Sequence, residues 1–464
     1  MNMQGKTVVL GVTESVCPQC LRRITAKRIE IGEDVYLDKI CPSHGNFRTI
    51  IWRGQPSYHS WAVPKIPSCP PVCSSKVDQG CPFDCGLCPE HRQHTCCVLL
   101  EVTGRCNLTC PVCFAQSGNE CDQPDLSEIE GWYRMLLASG GPYNIQLSGG
   151  EPTMRDDLPE IVALGHSLGY PFIQLNTNGL RLADDSSYVK KLKKAGLTCV
   201  FLQFDGTSDS VYEKIRGSAL LEIKRAAIAR CAEEQIGVVL VPTLIPGTNT
   251  QEIGEIINFA LKMMPAVRGV HFQPISYFGR YPKSPMDDDR ITIPEVIRMI
   301  EEQMGGKIKV TDFQPPNGEN AYCSFHGNFV LLESGELIRW TKPGQERCCQ
   351  PQAAATGAKK AQRFVAKHWA APQISVKKLG SEEACCALNI DSLDAFLERV
   401  DTYSLCISGM AFQDAWTIDL DRLRECFIHV VSPDSRIIPF CAFNLTDAMG
   451  KALYRSQNGC KMTI

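Results

Sequence analysis

No uninterrupted apolar stretch in the 464 residues approaches the roughly 18 that would suggest a membrane span. No transmembrane segment is therefore expected. There is no block of lysine and arginine either, since 48 basic residues stand against 51 acidic ones for a formal charge of −3. A nucleic-acid scaffold would carry a basic face, so no nucleic-acid partner is expected. The start, Met1 to Leu10, holds one lysine and a short TVVL segment, which is too little for a signal peptide and leads us to expect a cytoplasmic protein. Outside its β/α units the chain shows no internal repeat. Its one biased tract, QPQAAATGAKKAQ, reads as an exposed loop.

What the chain does have is cysteine, 25 residues in all. A disulfide framework belongs to short secreted chains, and both the odd count and the missing export signal argue against one. Many of the cysteines instead fall into tight groups whose sulfurs can converge on one metal or cluster. The length allows about three domain-sized units, or one large enzyme domain with additions.

Residues 1–60 read as a metal ribbon. Cys17-Pro-Gln-Cys20 and Cys41-Pro-Ser-His44 are bridged by the strand-like RITAKRIEIGEDVYLDKI, so two ligand pairs on tight turns can fold a minidomain around one tetrahedral zinc or iron ion. Residues 61–94 form a Pro/Cys-rich connector ending in Cys81-Pro-Phe-Asp-Cys85-Gly-Leu-Cys88, where dense proline precludes a long helix.

Over residues 95–314 strand and helix patterns alternate, with strands expected near 97–102, 144–148, 171–176, 198–204, 237–242 and 267–273. Nearly continuous apolar strands such as VFLQF and GVVLVPT between amphipathic helices indicate a parallel sheet covered by helices. The fold class is α/β, either a Rossmann-like sheet or an incomplete TIM-type barrel. Ligands bind at the strand C-termini in both. Residues 315–464, with vicinal Cys348-Cys349 and Cys385-Cys386 and then Cys406, Cys426 and Cys441, read as a smaller metal- or cluster-bearing domain.

At the end of the first β/α strand stands Cys106-Asn-Leu-Thr-Cys110-Pro-Val-Cys113. Three such cysteines can hold three irons of a [4Fe–4S] cluster and leave the fourth open to a ligand, although zinc sites also use close cysteines. The second strand ends in Ser148-Gly149-Gly150-Glu151-Pro152, the third in Asn176-Thr177-Asn178-Gly179, and the fourth in Gln203-Phe204-Asp205. Glycines there let the backbone approach closely, and Glu151 supplies negative charge.

The order of these motifs resembles the radical S-adenosylmethionine (SAM) superfamily over about residues 95–313. The resemblance implies a partial (β/α)6 TIM-type barrel with its radical cluster on Cys106, Cys110 and Cys113. S-adenosylmethionine would bind along Ser148, Gly149, Gly150, Glu151, Pro152, Thr177, Asn178, Gln203, Asp205 and Arg216, with Glu151 receiving the methionine ammonium. It also implies reductive cleavage of the cofactor to a 5′-deoxyadenosyl radical that removes hydrogen from an unactivated carbon, with an electron donor such as flavodoxin or ferredoxin.

A narrower resemblance covers nearly the whole chain: the CPxC…CPxHG ribbon, the CPxDCGLCPxH segment, and the C-terminal Phe412-Gln-Asp, IPFC and Asn444 elements are similar to the branch containing archaeal tetraether-lipid synthases and pterin C-methylases. That likeness implies two auxiliary [4Fe–4S] clusters, one on Cys81, Cys85 and Cys88 and one on Cys406, Cys426 and Cys441, besides the ion on Cys17, Cys20, Cys41 and His44. Their fourth ligands stay open among Cys69, Cys73, Cys96, Cys97, Cys323, Cys348, Cys349, Cys385 and Cys386.

Other residues take blander readings. Cys199 and Cys231 fall in a strand and a helix interior, where cysteine is usually a small buried hydrophobe. His91 and His94 read as surface polar residues. His271 at the barrel mouth is a substrate contact or a hydrogen-bonded core histidine, and Arg216 pairs with the cofactor carboxylate or caps its helix.

Three functions follow for comparison: C-methylation of a small pterin-like molecule, carbon–carbon coupling of lipid chains with peripheral membrane contact, and a cluster-rich electron carrier without radical chemistry. The GGEP and TNG motifs count against the carrier, and the lack of a long amphipathic docking segment favours the small molecule. No general acid or base can be named.

Overall fold

The computed structural model describes residues 7–118, 123–340, 351–372 and 391–455; Cys348, Cys349, Cys385 and Cys386 lie outside them. Strands β1 (Thr7–Val16), β2 (Arg23–Ile31), β3 (Asp34–Cys41) and β4 (Gly45–Arg53) form an antiparallel sheet in sequential order. Alternation drives it: along β3, Val35, Leu37, Lys39 and Cys41 face inward while Asp34, Tyr36 and Asp38 are less buried. The buried Lys39 ammonium is answered by Ser15 Oγ at 3.0 Å and the Ala415 carbonyl at 2.8 Å. Arg28 pairs with Asp419 at 2.6 Å, so the ribbon is fastened to the C-terminal region.

Six parallel strands follow: β5 (Cys97–Thr103), β6 (Asn144–Gly149), β7 (Ile173–Thr177), β8 (Cys199–Gln203), β9 (Gly237–Val241) and β10 (Val267–Pro274). Helices α1 (Leu126–Ala138), α2 (Leu158–Ser167), α3 (Ser186–Lys194), α4 (Leu221–Glu233) and α5 (Ile253–Lys262) lie between them, and α6 (Ile293–Gln303) comes after β10. Local signals start two of these helices. Asp125 and Glu128 close a capping box on α1, and Thr292 and Glu295 close one on α6. The six strands lie side by side in chain order without the reversal of a doubly wound sheet, which makes this a partial TIM-type barrel.

The described residues beyond 314 do not stand apart. They contribute β11 (Ser324–Leu331), β12 (Leu337–Arg339), α7 (Ala354–His368), α8 (Asp391–Thr402), β13 (Ser404–Met410), β14 (Ile428–Val431) and β15 (Ile437–Pro439). β13 pairs in parallel with β10 and β14 in parallel with β5, so the region extends the barrel sheet at both edges. The physical reason is edge protection, because β5 and β10 would otherwise expose unpaired backbone groups.

The QPQAAATGAKKAQ tract is mostly helix α7 rather than a loop, as its alanines and lysines favour. It crosses the N-terminal ends of the strands. Asn144 Nδ2 donates to the Gln362 carbonyl at 3.0 Å, and Gly237 lies so close that a Cβ there would sit 2.1 Å from the Trp369 carbonyl oxygen. The barrel is thus covered at one end by α7 and lined at the other by the motif loops.

Candidate active site

A cavity of about 340 Å³ occupies the barrel. At the C-terminal ends of the strands it is lined by Cys106, Cys110 and Cys113 together with Ser148, Gly149, Gly150, Glu151, Thr177, Asn178, Gln203 and Arg216. Pro152 and Asp205 are buried behind this surface.

The cysteine loop is fixed by its backbone. Cys106 N–H donates to Gly118 O at 3.1 Å, Cys113 pairs with Arg280 in both directions at 2.9 and 3.0 Å, and Arg280 Nε holds the Cys110 carbonyl at 2.9 Å. The GGEP turn is pressed onto this loop. A Cβ on Gly149 would lie 2.2 Å from Thr103 O and one on Gly150 would lie 2.1 Å from Arg105 O, so only glycine fits. Gly150 and Glu151 N–H groups donate to those two carbonyls at 2.8 and 2.7 Å.

Glu151 is 2% exposed. Its Oε1 accepts from Thr153 N at 3.0 Å, Thr153 Oγ1 at 2.6 Å and Thr177 Oγ1 at 2.7 Å, while Oε2 accepts from Asn178 N at 2.7 Å. The carboxylate that the sequence reading assigned to a ligand ammonium is thus first a clamp between two motif turns.

Arg216 likewise has a partner. It forms a buried bidentate pair with Asp205 at 2.7 and 2.9 Å, is accepted by Gln203 Oε1 at 3.0 Å when that amide is oriented to face it, and turns toward the Cys110 thiol. The pair thus brings a guanidinium to the cysteine loop. Neither sequence reading of Arg216, cofactor carboxylate partner or helix cap, anticipated this.

Beside the motif loops, one buried charge escaped the sequence reading. Lys224 on α4 is fully buried, donates to the Asn178 carbonyl at 2.5 Å, and has its pKa pushed down to about 8 by burial, with Asp205, Glu151 and Cys110 opposing. The signal was present, because Lys224, Ala227, Ile228 and Cys231 occupy one helical stripe.

In the ribbon, the donor atoms of Cys17, Cys20, Cys41 and His44 lie within 4.8 Å of one another. His44 Nδ1 is 3.5 Å from both Cys17 Sγ and Cys41 Sγ. Three thiolates and an imidazole in this compass fit a tetrahedral ion.

Cys81, Cys85 and Cys88 are buried together, and Cys85 is pushed up chiefly by the neighbouring Cys81 thiol. Asp84 shapes their loop by accepting three successive N–H groups, from Asp78, Gln79 and Gly80, at 2.6 to 2.7 Å.

The C-terminal triad differs from the expected one. Cys426 and Cys441 lie within electrostatic reach of each other and of Cys323, whose sulfur accepts from Arg422 Nη2 at 3.4 Å. Cys406 instead sits within β13, buried beside Ser408 and Trp369. Cys323 replaces it.

His91 also departs from its reading as a surface residue: it is 5% exposed, bonds the Cys426 carbonyl at 2.8 Å and packs against His429. His94 is half-buried, whereas Cys199 and Cys231 are core residues as expected. Of the open cysteines, Cys69 and Cys73 are exposed, and Cys96 and Cys97 line the cavity.

Comparison with known proteins agrees with this geometry. Residues 100–260 match the Radical SAM superfamily, and residues 9–53 match the HMPTM N-terminal zinc ribbon domain. The chain is 35% identical to the 7,8-dihydro-6-hydroxymethylpterin dimethyltransferase of Methanocaldococcus jannaschii, over 93% of each chain. It is 35% identical to the Fe-coproporphyrin III synthase of Methanosarcina barkeri over 41% of this chain and 47% of that one. Among solved structures, Streptococcus suis SuiB is similar at 16% identity with a TM-score of 0.39, covering 45% of this chain and 46% of that one.

The barrel with its three-cysteine loop is thus that of a radical SAM enzyme, which works with S-adenosylmethionine, a [4Fe–4S] cluster and a reductant. Within that class the chain belongs to the family of the Methanocaldococcus jannaschii pterin dimethyltransferase. Among the described residues no helix is long and apolar enough to cross a membrane.

Proposed function

We propose that the enzyme C-methylates a small pterin-like molecule. The observation that carries this is the match along 93% of both chains to a 7,8-dihydro-6-hydroxymethylpterin dimethyltransferase, ribbon included. The cavity supports it. Helix α7 lies across its far end, where a coupled lipid chain would have to continue.

Cys106, Cys110 and Cys113 would hold the cluster, and the Ser148–Pro152, Thr177–Asn178 and Gln203–Arg216 surface would seat the cofactor. When bound, the pair supplies hydrogen-atom abstraction from an unactivated carbon. The chain's own part is to position and to exclude water: Glu151 locks two motif turns, the Asp205–Arg216 pair fixes charge beside Cys110, and the C-terminal strands close the barrel edges. Cys81, Cys85 and Cys88 would hold one auxiliary cluster, and Cys323, Cys426 and Cys441 another.

The test is anaerobic incubation of reduced, reconstituted enzyme with S-adenosylmethionine, 6-hydroxymethyl-7,8-dihydropterin and a small-molecule extract of the producing cells as methyl source. Mass spectrometry should find pterins carrying one or two added methyl groups. Their absence alongside active cofactor cleavage would count against the reading.

A further inference from the structure

Toward the N-terminal ends of the strands the cavity changes character. Asn144 and Gln146 from β6, Gln174 from β7, Phe201 from β8, His271 from β10 and Trp369 after α7 line it there. Strand alternation puts Asn144 and Gln146 on the same face, with Gln174 on the paired strand level with Gln146 and two residues above Asn144.

Three observations stand out in this layer. Asn144 is 2% exposed and its Nδ2 is used by the Gln362 carbonyl, but among the described residues its Oδ1 has no donor. Among the described residues Gln174, also 2% exposed, has only a long 3.4 Å bond from its Nε2 to Asn176. Buried carboxamides are costly unless partnered, so both are poised for a partner that brings donors and an acceptor. Beside them stands an aromatic wall, with Phe201 4.9 Å from Trp369 and 5.6 Å from His271, whose ring is fixed by Ser408 Oγ at 2.9 Å from Nδ1.

We propose that this layer is the specificity determinant of the enzyme: Asn144 and Gln174 pair in plane with the 2-amino-4-oxo edge of a reduced pterin whose ring lies against Phe201 and Trp369. The proposal rests on the pterin reading above and adds an orientation. An edge bearing an amino group, a ring N–H and a carbonyl matches a carboxamide's own donors and acceptor. With that edge held low in the barrel, the opposite ring, which carries the saturated carbon and the side chain, points up the strands toward the loop of Cys106, Cys110 and Cys113. The distance suits, because the Gln174 level lies two residues of strand, about 6.6 Å, and the Asn144 level four residues, about 13 Å, below the motif ends. An alkyl chain in the same place would leave the carboxamides unpaired.

The experiment measures binding to the anaerobic, cluster-loaded enzyme in the presence of S-adenosylmethionine. The probes are 6-hydroxymethyl-7,8-dihydropterin and its lumazine analogue, in which the 2-amino group is replaced by oxygen. The wild type should bind the pterin about tenfold or more tightly than the lumazine, and Asn144→Leu and Gln174→Leu should each weaken pterin binding by about tenfold and blunt the discrimination. The cofactor's perturbation of the cluster EPR signal should be unchanged in both variants. Equal binding of the two probes by the wild type would overturn the proposed edge recognition and leave the pterin reading standing, even if the variants failed to fold. Unaltered pterin binding by both variants would overturn it in the same way. A wild type that binds the cofactor but neither probe would remove the pterin reading and this proposal together.

Discussion

The Glu151 carboxylate accepts the backbone N–H of Asn178 at 2.7 Å, joining the turn after β6 to the turn after β7. With Thr177 and Thr153 on its other oxygen, it sets the spacing of the two loops between which the cofactor is proposed to lie.

Glu151→Gln places an NH2 group where the carboxylate now accepts only from donors. The variant should lose about 1–3 kcal/mol of stability and, through the loosened turns, raise the cofactor titration midpoint about tenfold, while iron bound at Cys106, Cys110 and Cys113 is unchanged. Denaturant unfolding and an EPR titration check this. Unchanged stability with weakened cofactor binding would instead return Glu151 to a purely ligand-binding role.

Replacing Cys323 by Ala should lower the iron content of reconstituted enzyme by about four per chain, and Cys406→Ala should leave it unaltered. The reverse pattern would restore the set first expected from the sequence.

The barrel strands were legible because apolar runs of strand length between amphipathic helices can bury both their faces only in a parallel sheet covered by those helices. The motif loops were legible because several lie at successive strand ends. Cys323 was harder to place, since it stands in a Gly- and Pro-rich break far from Cys426 in the chain. Its grouping depends on β11 pairing with β13, a contact no local pattern reveals. The same holds for the C-terminal strands, which read as a separate unit because sheet edges are non-local. Lys224 was legible in principle, as a charge in an apolar stripe, and His91 was not, because its burial comes from Cys426 and His429 far along the chain.

The ribbon's ion supplies folding energy rather than chemistry. Changing Cys17 and Cys20 to Ala should remove one metal ion per chain and expose residues 7–53 to protease, with the radical cluster still assembling. Metal analysis and limited proteolysis read the two effects. Retained metal with an intact ribbon would refute the ligand set.

His271 and His326 both have their pKa pushed down to about 4, mainly by burial, against about 6.5 in an unfolded chain. Below about pH 6.5 the unfolded state takes up protons that the folded state refuses, so their contribution is complete above that value and is lost as pH falls toward 4. The loss should be on the order of 1–3 kcal/mol for each, and His326→Asn should flatten the fall in urea midpoint between pH 6.5 and 4. An equally steep fall in that variant would show that other groups carry it.

The most direct test of the central claim follows hydrogen. Reduced enzyme is given S-adenosylmethionine and 6-hydroxymethyl-7,8-dihydropterin deuterated at its saturated ring carbon and side chain, and the 5′-deoxyadenosine released is examined by mass spectrometry. The account predicts that the dihydropterin accelerates release and that deuterium appears in the product, with both effects abolished by Cys106→Ala. Cofactor cleavage that is indifferent to the dihydropterin, with no deuterium transferred, would contradict it.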